Sequence, residues 1–230
     1  MSEVLRWRRN DRVSHLLLVT GVVLATVTGL PLFDNGLFWP LGYAFDFGLP
    51  ASFMGLLGVT LRGLLHRVGA IIIVGAILIH LWSRRGRWKT EVLMNKEDVK
   101  ALLTLAKYNL RLTRDYPSIG FHHPGEKAVY LLAGVVGISG LSVSGLILWF
   151  PSLAPGYQSA ALLVHDLAFA TVAVIIVGHF LLALNPANRA VLKAMFGDGK
   201  VPLDWARGHH PGWKVEAGVD QEGTNQPVRN

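Results

Sequence analysis

The sequence predicts an all-α integral membrane protein, built as a bundle of four transmembrane helices. Three observations indicate this fold class. Hydrophobic residues make up 51% of the 230 residues, and the mean hydropathy of +0.40 is high for a soluble domain. Charged residues account for only 16% and are clustered. Four apolar stretches reach the roughly 20 residues that a bilayer crossing takes. They cover residues 13–33, 62–83, 127–150 and 159–184.

The segments between the spans differ in character. A loop rich in proline, glycine and aromatic residues occupies 31–50 and is expected at the membrane interface. Residues 96–114 carry apolar side chains at helical spacing, which predicts a short amphipathic helix at the surface. The chain turns polar after the fourth span. We therefore expect one membrane domain over 1–184 and a tail over 185–230.

Lysine and arginine set the predicted orientation. Twenty of the 22 lie before the first span (four), in the central loop from Arg84 to Lys127 (ten) or after residue 185 (six). By the positive-inside rule, both termini and this loop are cytoplasmic, in a protein of the inner membrane. The basic N-terminus enters the first span without a small-residue cleavage site, so we expect that span to be retained. No basic motif interleaved with aromatic residues indicates nucleic-acid binding.

The absence of cysteine limits the chemistry of the chain. It excludes disulfides, thiolate metal sites, iron–sulfur ligation and covalent c-type heme attachment. The nine histidines are therefore the main candidate metal ligands. A histidine inside a membrane span is costly to bury, which makes it a candidate functional residue.

Five histidines lie within the spans, at two depths. His66 and His165 are near the outer ends of their spans, and His15, His80 and His179 are near the inner ends. A separation of fourteen residues, as between His165 and His179, rises about 21 Å and turns to within ~40° of four full turns. One helix could thus supply a ligand to each of two stacked centres. Low-spin b heme takes two neutral imidazoles, so we interpret the pattern as a bis-histidine diheme bundle. A histidine-lined proton or metal transporter is the alternative.

Six motifs occur in order along nearly the whole chain. They are DRVSH (11–15), RGLLHRVG (62–69), PGEK (124–127), SGLILWFP (144–151), LLVH (162–165) followed by GH fourteen residues later, and DWARGHHPGW (204–213). Together they resemble the gamma (cytochrome b) subunit of membrane-bound respiratory formate dehydrogenases. Related b-type cytochromes serve Ni–Fe hydrogenases and thiosulfate reductases. The tail motif favours the formate dehydrogenase branch, and its pair His209 and His210 is expected to be a docking or surface feature rather than a ligand.

The resemblance implies two b hemes. His66 and His165 would be the axial ligands of the outer heme iron, and His15 and His179 those of the inner heme iron. His80 has no obvious counterpart in the family. By spacing alone His80 could pair with His179 instead of His15, and the DRVSH motif is the reason to prefer His15.

The resemblance also implies a quinone site beside the inner heme, at His123, Gly125 and His179. The family has an asparagine where this chain has His123. A histidine is chemically suitable there, because imidazole can relay protons near neutral pH. The alternative is that His122 and His123 form a polar turn before a helix that starts at Pro124.

The function that the resemblance implies is electron transfer. An iron–sulfur beta subunit would receive electrons from a molybdenum- or tungsten-containing alpha subunit that oxidises formate. This chain, with no catalytic residues for formate chemistry, would pass them through two b hemes to menaquinone or ubiquinone. The alternatives are the same cytochrome serving a Ni–Fe hydrogenase or another molybdoenzyme, and the transporter named above.

Overall fold

The structure is a computed structural model, mostly helical, that describes residues 2–33, 36–38, 40–41, 60–85 and 93–213. Its contacts divide the chain into two compact units. The first unit comprises residues 9–85, and the second unit comprises residues 1–8 and 86–230. The division into a membrane domain and a tail at residue 184 stays a prediction.

The first unit is an antiparallel pair of long helices, α1 (Arg9–Phe33) and α2 (Leu61–Ser83). Glycines allow the two backbones to approach closely. A Cβ atom on Gly21 would lie 2.8 Å from Ile73 Cγ1 and 2.9 Å from the carbonyl oxygen of Gly69. Small residues at such contacts are the usual means of packing helices in lipid, where no hydrophobic force drives them together.

A buried ion pair joins the start of α1 to the end of α2. Arg84 binds Asp11 with two nitrogens, Nε at 3.0 Å from Oδ1 and Nη2 at 2.9 Å from Oδ2. The two side chains are only 9% and 6% exposed. Bidentate geometry of this kind gives a strong, directional contact between guanidinium and carboxylate.

The second unit contains the other two long helical segments, which are also antiparallel. The third span is continuous through α4 (Pro124–Val129), a π-helix (Tyr130–Ile138) and α5 (Ser139–Trp149), and the fourth span is α6 (Gln158–Leu184). Glycine again allows close packing, because a Cβ on Gly140 would lie 3.2 Å from Ala168 Cβ. A 3-10 turn (Pro151–Leu153) follows α5.

The four predicted spans are confirmed as helices long and apolar enough to cross a membrane. In their most apolar windows only 6% to 17% of residues are buried within the protein. Such extensive exposed apolar surface is what a lipid-facing helix presents. The predicted interfacial loop at 31–50 falls largely outside the described residues.

The predicted amphipathic helix is confirmed as α3 (Lys96–Asn109). Asn95 caps it reciprocally with Asp98: Asn95 Oδ1 accepts from Asp98 N at 2.7 Å, and Asp98 Oδ2 accepts from Asn95 N at 3.0 Å. Lys127 Nζ, at the start of the third span, lies 2.7 Å from Asp98 Oδ2. Burial raises the pKa of the Asp98 carboxyl, but the Asn95 and Lys127 bonds outweigh it and hold the pKa below its ordinary value.

The segment after the fourth span is folded, which the sequence did not predict. It forms α7 (Arg189–Phe196), β2 (Lys200–Pro202) and α8 (Leu203–His209), preceded by a 3-10 turn (Pro186–Asn188), and β2 pairs antiparallel with β1 (Glu3–Leu5). Val4 faces Val201 across this ladder. Both are buried with Ala194 and Ala206 in a small core, and the partly buried side chain of Trp205 packs against it. We call this element, residues 3–7 with 189–213, the tail cap.

Candidate functional site

His66 is fixed within the first unit by a hydrogen bond to the backbone of α1. Its Nδ1 lies 2.9 Å from the carbonyl oxygen of Ala25. A carbonyl only accepts, so Nδ1–H donates, and in that tautomer Nε2 carries the lone pair. Gly29 provides the room for the ring, because a Cβ there would lie 2.9 Å from His66 Cε1.

His165 is fixed in a parallel way within the second unit. Its Nδ1 lies 3.0 Å from Ser144 Oγ. The Ser144 hydroxyl donates to the carbonyl oxygen of Gly140 at 2.6 Å, so Oγ accepts the Nδ1–H of His165. Gly145 faces the ring, since a Cβ there would lie 3.4 Å from His165 Cε1. Here too Nε2 is the nitrogen that carries the lone pair.

This arrangement fits an axial heme ligand. Metal-binding histidines almost always donate the other ring N–H to a carbonyl or similar acceptor, which fixes the tautomer and makes the ligating nitrogen more basic. His66 and His165 both meet that description, each half-buried and each beside a glycine. The residues present in each unit therefore suit the neutral imidazole ligation that a b heme requires.

The three remaining span histidines are His15 on α1, His80 on α2 and His179 on α6. His15 follows Asp11 by one turn of α1, and His80 precedes Arg84 by one turn of α2, so both lie one turn from the buried ion pair. His179 lies on α6 with an exposed side chain. Each predicted ligand pair joins the two units, so the pairings, and the choice between His15 and His80, stay predictions.

His123 and Gly125 of the predicted quinone site lie together at the start of the third span. His123 is the N-cap: its Nδ1 accepts from Gly125 N at 3.0 Å, and its own N–H donates to Glu126 Oε2 at 3.2 Å. Burial lowers the pKa of His123. The ring is therefore neutral near pH 7, and its proton lies on Nε2, which makes Nε2–H a hydrogen-bond donor. The polar-turn alternative describes this local geometry correctly, and a quinone role stays a prediction.

Two charged residues at this position were not predicted. Arg6, completely buried, binds both carboxylate oxygens of Glu126 at 2.9 and 3.1 Å and also donates to the Phe121 carbonyl. Its guanidinium lies over the Phe121 ring, 4.3 Å from the centroid. In the sequence, Arg6 is one of four basic residues before the first span, and nothing distinguishes it from the others.

The two tail histidines have different environments. His209 stacks on Trp205, with ring centroids 4.5 Å apart, and its Nδ1 donates to the Trp205 carbonyl at 3.1 Å. His210 is only 4% exposed, and its Nδ1 donates to the carbonyl of Gly120 at 2.7 Å. Of the expected docking or surface feature, the surface half is wrong for His210, whose burial no local pattern in the sequence indicates.

Four helices are long and apolar enough to cross a membrane, and two of them carry a histidine whose Nδ1 is bonded to the neighbouring helix, a combination typical of the class of membrane-embedded b-type cytochromes. The chain belongs to the prokaryotic cytochrome b561 family, whose model matches residues 6–198. Family membership implies b-type heme.

Two curated relatives from Escherichia coli K12 are similar over nearly their whole length. The formate dehydrogenase cytochrome b556(fdo) subunit is 26% identical over 218 residues, which is 93% of this chain and 92% of the relative. The cytochrome b556(Fdn) subunit of the nitrate-inducible formate dehydrogenase is 25% identical over 227 residues, 95% of this chain and 96% of the relative. The resemblance stated from the motifs is thereby confirmed.

Proposed function

We propose that this chain is the membrane cytochrome b subunit of a formate dehydrogenase complex. It would take electrons from an iron–sulfur beta subunit, itself joined to a molybdenum- or tungsten-containing alpha subunit, and deliver them to menaquinone or ubiquinone. Two b hemes, when bound, would supply the one-electron redox chemistry. The names of the relatives and the cytochrome family support the assignment.

The observation that carries the proposal is the matched environment of His66 and His165. Each donates Nδ1–H to an acceptor on the neighbouring helix, at 2.9 and 3.0 Å. Each therefore offers a basic Nε2 lone pair from a ring that cannot rotate freely. We propose that these two residues hold the outer heme, and that His179 holds the inner heme with His15, or with His80 if His15 does not serve.

In quinone reduction, the chain's own residues would donate hydrogen bonds to the quinone oxygens and pass on protons. We propose a quinone site at His123, Gly125 and His179. The N–H of Gly125 is already bonded to His123 Nδ1, so the donor that faces a quinone oxygen would be His123 Nε2–H. Reduction of a quinone consumes two protons, and an imidazole can pass them on near neutral pH.

The orientation of the chain is part of the proposal. Strand pairing between β1 and β2 places residues 3–5 beside residues 200–202, so both described terminal segments would lie on one side of a membrane. The concentration of lysine and arginine in these segments and in the central loop favours the cytoplasmic side of the inner membrane. We therefore propose a membrane domain over 1–184 and a cytoplasmic tail over 185–230.

Heme content tests the proposal directly. The five span histidines are replaced by alanine one at a time, in the purified complex, with His209→Ala as a control outside the spans. We expect His66→Ala and His165→Ala to lose the same half of the heme, and His15→Ala and His179→Ala the other half. Heme per protein and reduced-minus-oxidised spectra provide the measurement.

Two results would contradict the assignment at different levels. Retention of both hemes in His15→Ala, with loss of one in His80→Ala, would transfer the ligand role to His80. A colourless, iron-free wild-type protein would overturn the whole proposal and favour the transporter. Identification of the co-purifying subunits separates a formate dehydrogenase from a hydrogenase partner.

A further inference from the structure

The tail motif HHPGW is bonded to the loop that precedes the third span. His210 Nδ1–H donates to the carbonyl of Gly120 at 2.7 Å, and the N–H of Gly212 donates to the carbonyl of Ile119 at 2.9 Å. Ile119 is only 1% exposed, and a Cβ on Gly212 would lie 3.1 Å from the Ile119 oxygen. The C-terminal segment thus contacts this loop so closely that a Cβ on Gly212 would force a neighbouring atom to shift.

The N-terminal segment binds the next residue of the same loop. Arg6 donates to the carbonyl of Phe121, so three successive carbonyls, at residues 119 to 121, each accept from the tail cap. The Phe121 ring packs edge-on against Trp213, with centroids 4.9 Å apart. Loops are usually the mobile parts of a fold. In this loop the backbone carbonyls are hydrogen-bonded and the Phe121 side chain is packed.

The fixed loop leads directly into the candidate quinone site. His122 and His123 follow Phe121, and Glu126, which Arg6 holds with both oxygens, accepts the backbone N–H of His123. His123 is thus held on both sides, by the loop before it and by the carboxylate after it. Burial is the main reason that the pKa of His210 falls to about 4, so this side chain stays a neutral donor at physiological pH.

We propose that His210 is a positioning residue for the quinone site, and that with Gly212 and Arg6 it fixes the 119–121 loop so that His123 presents Nε2–H to a quinone oxygen. The tail cap then serves substrate binding as well as stability. This inference rests on the proposed function, because it assigns a role toward the quinone that the function requires.

Variants of the two tail histidines in the purified complex test the inference. His210→Ala removes the donor to Gly120, and His210→Asn supplies a side-chain N–H in its place. His209→Ala is the matched control, since among the described residues His209 bonds to Trp205 of its own helix. The readouts are kcat and KM for a short-chain soluble quinone with formate as donor, formate oxidation with an artificial dye, and hydrogen exchange of residues 118–123.

We expect His210→Ala to raise the quinone KM by about five- to tenfold, the effect of one lost hydrogen bond, with kcat and dye-linked oxidation little changed. Exchange of the loop should accelerate. His210→Asn should restore most of the wild-type KM, and His209→Ala should match wild type. A merely structural role would not separate KM from kcat in this way.

Each contrary result has a defined meaning. Faster loop exchange with an unchanged quinone KM in His210→Ala would overturn the inference alone. If that variant cannot be purified, Gly212→Ala replaces it, since its Cβ would lie 2.9 Å from Ser118 Oγ and 3.1 Å from the Ile119 oxygen; faster exchange of residues 118–123 in this variant with an unchanged KM would equally overturn the inference. A wild-type complex that oxidises formate with the dye but reduces no quinone would overturn the proposed function, and this inference with it.

Discussion

The two units hold their histidines by different means. In the first unit His66 is bonded to a backbone carbonyl of α1, whereas in the second His165 is bonded to the side chain of Ser144. The glycines beside the rings differ too, because a Cβ would lie 2.9 Å from Cε1 of His66 but 3.4 Å from Cε1 of His165. The position of His66 is set mainly by backbone atoms and leaves no room for a Cβ on Gly29. The position of His165 depends on the Ser144 side chain, which one substitution can remove. Mutations should therefore affect the units unequally.

The largest difference is expected at the ion pairs. Arg84 and Asp11 in the first unit are 9% and 6% exposed, so Arg84→Gln removes the guanidinium from a buried carboxylate. Breaking a buried pair from one side costs about 3–5 kcal/mol, and we expect a loss of that order in the free energy of unfolding. Unfolding in detergent, followed by tryptophan fluorescence, measures it. The neighbouring Arg85→Gln is the control, since Arg85 is exposed and lies over the Trp82 ring.

The corresponding pair of the second unit sharpens the comparison. Lys127→Gln removes a single contact to Asp98, which keeps its hydrogen bond from Asn95 N. We expect a smaller loss than for Arg84→Gln, because one lost hydrogen bond to a charged group is worth about 1.5–3 kcal/mol. If both variants lose the same free energy of unfolding, the bidentate and more deeply buried pair of Arg84 and Asp11 stabilises the protein no more than the single contact of Lys127 and Asp98.

The glycines give the next effect. Gly29→Ala places a Cβ 2.9 Å from His66 Cε1, a distance that real Cβ contacts essentially never show, so the ring must move. Overpacking of this kind costs about 1–3 kcal/mol, and we expect heme per protein to fall. Gly145→Ala, at 3.4 Å, should keep nearly all its heme. Gly75→Ala on α2 is the control, since no atom of the residues that the structure describes lies within 4 Å of its Cβ position.

Reversal of this order would contradict the comparison. Should Gly145→Ala lose more heme than Gly29→Ala, the room beside each ring would not be what fixes the histidine. A loss in Gly75→Ala as large as in Gly29→Ala would instead point to a general effect on helix packing.

The spans could be predicted from the sequence because each depends on a local property, the apolar length that a bilayer requires. The amphipathic helix at 96–109 was predictable for the same reason, since its pattern and its Asn95 cap are local. His66 and His165 were predicted as ligands because a histidine is conspicuous in an apolar span, and that role stays a prediction. The acceptor of the His66 Nδ1–H could not be predicted, because it is the backbone carbonyl of Ala25 and every residue has such a carbonyl.

The tail cap shows the opposite case. Val4 and Val201 pair across nearly the full length of the chain, and three-residue strands leave too short a pattern to recognise. Arg6 and Glu126 are 120 residues apart, so no local rule connects them. Their burial is a consequence of long-range pairing, which a single sequence does not reveal.

The smallest effect is expected at Ser144, the side-chain acceptor that the second unit has where the first has a backbone carbonyl. Ser144→Ala removes the acceptor for His165 Nδ1–H while leaving Gly145 and the helix backbone in place. The imidazole then loses the bond that makes Nε2 more basic, so we expect weaker stabilisation of ferric iron, a higher midpoint potential and an affinity for heme lower by about tenfold. Redox titration and heme per protein measure both. Thr171→Ala on α6 is the control, because within the described part of the chain that hydroxyl donates to the Leu167 carbonyl of its own helix. An unchanged potential in Ser144→Ala would mean that the hydroxyl only fills space, and the parallel between His165 and His66 would then rest on the glycines alone.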